Sequence, residues 1–242
     1  MKGILYIIAT PIGNLEDITL RALRILKEVD LIACEDTRVT SKLLSHYSIS
    51  KPLLSLHQHS KEGQFEKIIA ELNAGKNVAY ASDAGTPGVS DPGNKLVEAA
   101  ILENIVVVPI PGAAALTALI SVAGIDMQSF IFLGFPPHKK GRETFFKKVE
   151  IADLPVIYYD SPHRVLKNLE LLEKLSASSP RRTQQGGPAS SWGKKIIIGR
   201  ELTKMFEEII RGNIEDIKKY FELYPEKLKG EFVVIVYPPR LA

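Results

Sequence analysis

Short unbroken apolar runs alternate with apolar residues at helical spacing along the first half of the chain. Leu5 to Ala9 is continuous enough for a buried strand. Leu20, Leu23, Ile25, Leu26 and Val29 then recur every three or four positions, the period of one helix face. The alternation continues. Strands are predicted at Asp30 to Cys34, Leu53 to Leu56, Asn77 to Ala81 and Ile105 to Val108. Helical patterns fall at Lys42 to Tyr47, at Phe65, Ile68, Ile69 and Leu72, at Leu96 to Leu102 and at Ala113 to Val122. Strand–helix alternation of this kind predicts an open parallel sheet with helices on both faces. Strands apolar at successive positions agree, because a parallel strand is buried on both sides.

The rhythm changes near Phe130. A strand at Phe130 to Leu133 leads into Gly134-Phe135-Pro136-Pro137-His138-Lys139-Lys140-Gly141, which reads as a linker. Beyond it, strands are predicted at Pro155 to Tyr159, Ile196 to Gly199, Phe206 to Ile210 and Phe232 to Tyr237. Helices are predicted at Val165 to Leu175 and Ile214 to Phe221. The chain therefore divides into an α/β domain over residues 1–133, a linker at 134–140 and a smaller α/β domain over 141–242 whose last strands need not be parallel. Residues 176–193 carry almost no apolar side chain besides Trp192 and are expected to form a mobile surface loop, with Arg181 and Arg182 available to phosphate.

With 45% hydrophobic and 24% charged residues, the chain has the material for a core and is not disordered throughout. The formal net charge of +3 requires clustering before it argues for nucleic acid. The single cysteine, Cys34, sits in an apolar run and reads as a small buried hydrophobe, which suits a reducing, cytoplasmic setting. No apolar stretch approaches the ~18 residues of a membrane span.

Several chemistries are not signalled. The G-x-G-x-x-G dinucleotide fingerprint, the P-loop, the H-E-x-x-H zinc motif and the G-x-S-x-G elbow are missing. His57 and His59 lack an evident third ligand, so no metal is expected. The densest signal is Ser82-Asp83-Ala84-Gly85-Thr86-Pro87-Gly88-Val89-Ser90-Asp91-Pro92-Gly93, between a strand and a helix. Its glycines permit close backbone approach, and Asp91-Pro92 has the form of a helix start. In an open parallel sheet, ligands bind beyond the carboxyl ends of the strands. Three further loops stand at such ends: Thr10-Pro11-Ile12-Gly13-Asn14-Leu15, Glu35-Asp36-Thr37-Arg38 and Pro109-Ile110-Pro111-Gly112-Ala113-Ala114-Ala115. The alanines leave room for a flat ligand or for tight helix packing. Asp36 suits either substrate positioning or a helix N-cap.

These four loops occur in order with Phe132-Leu133-Gly134-Phe135, Ser161-Pro162-His163-Arg164 and Arg200-Glu201-Leu202-Thr203-Lys204. The series, spanning almost the whole chain, resembles the tetrapyrrole-methylase superfamily, and within it the branch that methylates ribose 2′-oxygens of small-subunit ribosomal RNA. The resemblance implies two α/β domains of the class III methyltransferase type, a homodimer, and S-adenosylmethionine bound in the interdomain cleft. It carries cofactor contact to Pro11, Ile12, Asp83, Gly85, Thr86, Ala114 and Ala115, with Gly199 and Gly230 of the Gly230-Glu231-Phe232 segment closing the cleft. The implied reaction moves a methyl group to a cytidine of 16S rRNA. Asp36 and Glu35 are the candidate proton acceptors, and Arg38 the candidate phosphate contact.

The stretch from His138 to Lys148 is basic and is the candidate RNA contact, through Lys139, Lys140 and Arg142, together with His163 and Arg164. Phe145 and Phe146 are read as core rather than as base-stacking platforms. Two other readings remain: a methyltransferase of the same fold acting on a small tetrapyrrole precursor, and a non-catalytic RNA-binding assembly factor.

Overall fold

The computed structural model describes residues 1–56, 62–89, 91, 93–177 and 194–238. The His57–Ser60 segment, Ser90, Pro92, Arg181, Arg182 and Trp192 lie outside the described residues. The chain forms two compact units, Met1–Ala115 and Leu116–Ala242.

The first unit is an all-parallel sheet with helices on both faces, as its alternation predicts. Its strands are β1 (Ile4–Ile8), β2 (Leu31–Cys34), β3 (Leu53–Ser55), β4 (Val78–Ala81) and β5 (Val106–Ile110), in the order β3-β2-β4-β1-β5. The intervening helices are α1 (Leu20–Glu28), α2 (Thr37–His46), α3 (Glu62–Asn73) and α4 (Gly93–Leu102). Period-two alternation distributes the apolar side chains. Ile8, Ile32 and Ala79 join Ala22, Ile25 and Leu26 of α1 and Leu44 of α2 in one cluster. Leu5, Ala33, Val78 and Tyr80 point the other way and join Ile68 and Leu72 of α3 and Leu96 and Ala100 of α4. The helices that follow β1 and β2 therefore cover one face, and the helix that follows β4 covers the opposite one. Since β4 lies between β1 and β2, the chain diverges at its carboxyl end, and divergence there opens the crevice in which open α/β sheets hold ligands.

Capping residues fix where helices begin. Thr19 Oγ1 accepts the Ala22 N–H at the start of α1. The Asp36 carboxylate accepts the Arg38 N–H, so α2 starts five residues before the helix predicted from Lys42.

Helix α5 (Ala115–Ser121) leads into the second unit. There β6 (Ile131–Phe132), β7 (Val156–Asp160), β8 (Lys195–Arg200), β9 (Glu208–Gly212) and β10 (Phe232–Tyr237) form a mixed sheet in the order β6-β7-β10-β8-β9. Only the β6–β7 pairing is parallel. β6 thus belongs to the second sheet, ahead of the linker expected at 134–140. Helices α6 (Arg142–Ile151), α7 (Val165–Ala177) and α8 (Ile214–Leu223) share one core with Val156, Tyr158, Ile196, Ile198, Phe232 and Val234. Two expectations are corrected here. The strand predicted from Phe206 begins at Glu208, and Phe206 stands exposed in the preceding turn. Ser176, expected in the mobile loop, is buried in the last turn of α7 with its hydroxyl donating to Leu172 O.

Phe146 is buried and Phe145 packs against the same core, both rings meeting Tyr158 edge-on. The Tyr158 hydroxyl is buried without a hydrogen-bond partner among the described residues. A buried hydroxyl with no partner carries an uncompensated desolvation cost of about 1–3 kcal/mol. Tyr158→Phe is therefore expected to leave the stability unchanged or raise it by up to about 2 kcal/mol in urea titration, whereas a clear loss would refute the reading.

Candidate active site

At the diverging strand ends, three loops are laced together by main-chain bonds. Thr10 and Gly85 form an isolated antiparallel bridge, each N–H donating to the other's carbonyl at 3.0 and 3.1 Å. The Thr10 hydroxyl donates to Ser82 O, and the Ser82 hydroxyl donates to Gly85 O, both at 3.1 Å. Thr86 Oγ1 donates to Ala113 O at 3.0 Å, which ties in the loop after β5. Gly85 takes φ +81°, and a Cβ there would meet Ile12 Cγ2 at 3.3 Å. Gly112 sits so close to the first strand end that a Cβ would lie 2.9 Å from the Ala9 Cβ. Asp91 accepts the N–H groups of Gly88 and Gly93, which closes the turn into α4.

The loop after β2 joins this frame through acids. Asp83 Oδ1 accepts the Asp36 N–H at 3.0 Å, and Glu35 Oε1 accepts the Asp83 N–H at 3.2 Å. The two candidate proton acceptors then part ways. Asp36 binds the Arg38 guanidinium through both carboxylate oxygens and caps α2. That bond to Arg38 holds its carboxyl down at about 2. Burial pushes Glu35 above the usual carboxylate range, with the charges of Asp83 and Asp91 adding to the effect and the Asp83 N–H opposing it. Of the two readings of Asp36, the structure shows the N-cap, and its main-chain N–H ties it to the loop after β4. Arg38 is exposed but engaged by Asp36.

Of the residues expected to touch a cofactor, the structure brings Pro11, Ile12, Asp83, Gly85, Thr86, Ala114 and Ala115 to this one end of the sheet, in the loops after β1, β4 and β5. At the other two, Gly199 and Gly230, the space that a Cβ would need is taken by protein. A Cβ on Gly199, in β8, would meet Leu119 Cδ1 at 2.9 Å and both methyls of Leu202. A Cβ on Gly230 would lie 2.4 Å from the Glu201 carboxyl carbon. Glu201 (φ +50°) accepts the Glu231 N–H and binds Lys204 Nζ, each at 2.9 Å. The nearly buried Arg200 guanidinium donates to the carbonyls of Lys227, Lys229 and Phe206. In the second unit the Arg200-Glu201-Leu202-Thr203-Lys204 motif is thus a latched turn.

Among the candidate RNA contacts, Lys139, Lys140 and His163 are exposed and Arg142 is half-buried. Arg164 is a brace: its Nε donates to Ser161 Oγ and its Nη1 to Pro136 O, both at 3.1 Å. Phe135, quoted in the Phe132-Leu133-Gly134-Phe135 motif, was given no role among the candidate contacts. That ring is 53% exposed beside the basic segment and leans on Tyr159 at 5.2 Å between centroids. Beyond that motif, its signal was an aromatic set among turn residues. Also missed was a pocket of about 320 Å³ lined by Thr10, Pro11, Leu15, Val39, Thr40, Lys42, Leu43, Ser82 and Asp83. Among the described residues no helix is long and apolar enough to cross a membrane.

The chain is similar to known proteins over most of its length. Residues 4–218 match the family model for Tetrapyrrole (Corrin/Porphyrin) Methylases. The chain is 44% identical over 237 residues to the ribosomal RNA small subunit methyltransferase I of Halalkalibacterium halodurans, covering 97% of this chain and 76% of that protein. It is 45% identical over 234 residues to the protein of the same name from Hydrogenobaculum sp., covering 96% and 94%. Among solved structures it resembles the methyltransferase CobJ at TM-score 0.67 and 19% identity, covering 98% and 94% of the two chains. It also resembles cobalt precorrin-4 methyltransferase, a cobalamin biosynthetic enzyme, at TM-score 0.64 and 15% identity, covering 97% and 94%. At those identities the structural likeness speaks for the fold alone.

Proposed function

Because the chain belongs to the tetrapyrrole methylase family, and within it to the group of ribosomal RNA small subunit methyltransferase I proteins, we propose that it methylates the ribose 2′-oxygen of a cytidine in 16S ribosomal RNA, with S-adenosylmethionine as donor. The observation that carries the reading is the conjunction of near-full-length identity to proteins of that name with an intact, cross-bonded set of strand-end loops. Bound there, S-adenosylmethionine supplies a sulfonium methyl that passes in line to the acceptor oxygen and leaves S-adenosylhomocysteine behind.

The residues present suit such a ligand. Gly85 and Gly112 let the loops close on one another where a Cβ would press on Ile12 Cγ2 or the Ala9 Cβ, and Pro11, Ile12, Asp83, Thr86, Ala114 and Ala115 stand in or next to those same loops. Hydrogen bonds within the frame hold the loops before any ligand arrives, so little orientation is lost on binding. Alignment of reacting groups contributes ~7–11 kcal/mol in favourable cases.

A ribose hydroxyl is a weak acid, and its proton must leave as the new bond forms. Between the two candidates Glu35 is the better acceptor, because a base works best with a pKa near the working pH. Asp36 and Arg38 orient the loop. Glu35→Gln is expected to lower kcat roughly 10²-fold, the low end for a general base, with the donor Kd unchanged and the acid limb of the pH–rate profile removed. Asp36→Asn keeps the N-cap and is expected to lower kcat only severalfold with that limb intact. If the limb disappeared in Asp36→Asn and survived in Glu35→Gln, the roles would be exchanged.

The reading extends to a cytoplasmic homodimer whose RNA contacts include Lys139, Lys140, Arg142 and His163. Mass spectrometry of rRNA nucleosides from a strain lacking this gene, with and without complementation, tests the whole assignment. The expected result is one 2′-O-methylcytidine lost and restored. An unchanged nucleoside profile would overturn it.

A further inference from the structure

The pocket between the loops after β1 and β4 and the first turns of α2 has a use that the donor frame does not absorb. Its floor is polar yet spent. Thr10, Thr40 and Ser82 are each under 5% exposed. Thr10 donates to Ser82 O, Ser82 donates to Gly85 O, and Thr40 bonds to the Cys34 thiol. Its walls are aliphatic: Pro11, Leu15, Val39 and Leu43. Leu15 and Val39 remain 38% and 40% exposed, which is apolar surface turned to solvent inside a concavity. Two charges line it, Asp83 and Lys42. Arg38, one turn before Lys42 on the same helix, is held by Asp36, whereas Lys42 enters no ion pair among the described residues.

We propose that this pocket seats the acceptor nucleotide of an unpaired RNA strand, drawn out of its stack. The inference rests on the methyltransferase reading and adds where the acceptor lies. Four lining residues, Thr10, Pro11, Ser82 and Asp83, belong to the donor loops, so an occupant stands against the donor site. The main-chain N–H of Asp83 binds Glu35, which puts the proton acceptor one residue from the pocket wall. A volume of about 320 Å³ lies at the lower end for small-molecule sites and accommodates a single nucleotide, not a duplex. Enzymes that act on one nucleotide extract it from the stack into such a pocket, where flat apolar contact replaces the neighbouring bases. The aliphatic walls meet base and ribose faces, and the Lys42 ammonium meets the flanking phosphate.

The test uses the full chain, tritiated S-adenosylmethionine, and small ribosomal subunits from a strain lacking this gene. Val39→Trp fills the pocket from a solvent-facing helix position. Lys42→Glu reverses the unpaired charge. Val39→Trp is expected to raise the KM for subunits at least tenfold while the donor Kd, by calorimetry, stays within twofold. Lys42→Glu is expected to raise that KM severalfold and to reduce the salt slope of subunit binding by about one. A parallel rise in donor Kd would assign the pocket to the donor. A change in mass by light scattering would assign it to a second copy of the chain. An unchanged KM in both variants would leave it without a role in RNA binding. Each of these overturns the inference while the wild type still methylates. A wild type that takes up no donor and labels no subunits sinks the functional reading itself.

Discussion

Gly85→Val is expected to cut methyl transfer at least a hundredfold and to weaken donor binding comparably, with the secondary structure retained. Gly85 holds φ +81°, where a β-branched residue is strained by more than the ~1 kcal/mol that alanine costs. The added Cβ would press on Ile12 Cγ2 at 3.3 Å and approach Ala113 O at 3.7 Å, so it meets both neighbouring loops. The same residue gives its N–H to Thr10, and its carbonyl accepts both the Thr10 N–H and the Ser82 hydroxyl. A shift of its backbone therefore loosens three loops together. A loss of about 3 kcal/mol in transition-state alignment corresponds to a little over a hundredfold in rate. Circular dichroism, calorimetry with S-adenosylmethionine and tritium transfer check the three parts. A valine variant that binds the donor with wild-type affinity would show that the Thr10–Gly85 bridge is not part of the site.

The largest effect on stability is expected in the second unit, at Gly230→Ala. Its φ of +94° disfavours any side chain, and the new methyl would lie 2.4 Å from the Glu201 carboxylate. A free glutamate would swing aside. This one is tied to Glu231 N–H and Lys204 Nζ and is itself held at a left-handed φ, so giving way breaks the latch. Strain of ~1 kcal/mol or more and the net loss of one charge-assisted hydrogen bond of ~1.5–3 kcal/mol sum to about 2.5–4 kcal/mol. At ~2–4 °C per kcal/mol, the melting transition falls by roughly 5–15 °C. A double-mutant cycle with Glu201→Ala isolates the cause. If Gly230→Ala costs as much without the Glu201 carboxylate as with it, the collision is not the reason.

Acid should act on Glu35 and Asp36 with opposite sign. Asp36 has its carboxyl depressed, so its contribution is present above its unfolded value and is lost as pH falls from about 4 through about 2. Glu35 has its carboxyl raised, so its ionisation weighs against the folded state as pH rises through the raised value. One strand end thus carries a charge the fold favours beside one it resists.

The parallel sheet was legible because its strands are apolar at successive positions, and each predicted strand lies within two residues of the observed one. The order β3-β2-β4-β1-β5 was not legible, since periodicity records which face a residue takes and not which strand lies beside it. The strand-end loops announced themselves through Gly, Pro and Asp. The pocket beside them did not, because the helix reading began at Lys42. With the Asp36 cap in place, Val39 and Leu43 fall on the first turns of α2 and supply one wall. Helix α6 went unassigned because its apolar residues are bracketed by Lys147, Lys148 and Glu143, which blurs the stripe. Phe206 reads as the start of a strand, yet the left-handed turn through Glu201 and Thr203 carries it out to solvent.

The position of β1 within the first sheet has a bearing on synthesis. Strand β1 lies between β4 and β5, pairing Leu5 with Val78 and Val107, so its hydrogen-bonding partners are translated long after it. An apolar segment therefore emerges from the ribosome with both edges open and waits until residue 110 has followed. Closing loops of that span before any pairing energy returns makes for slow assembly and exposes the nascent segment to aggregation. Production of this protein should accordingly respond to chaperone supply and growth temperature more than its final stability alone would suggest.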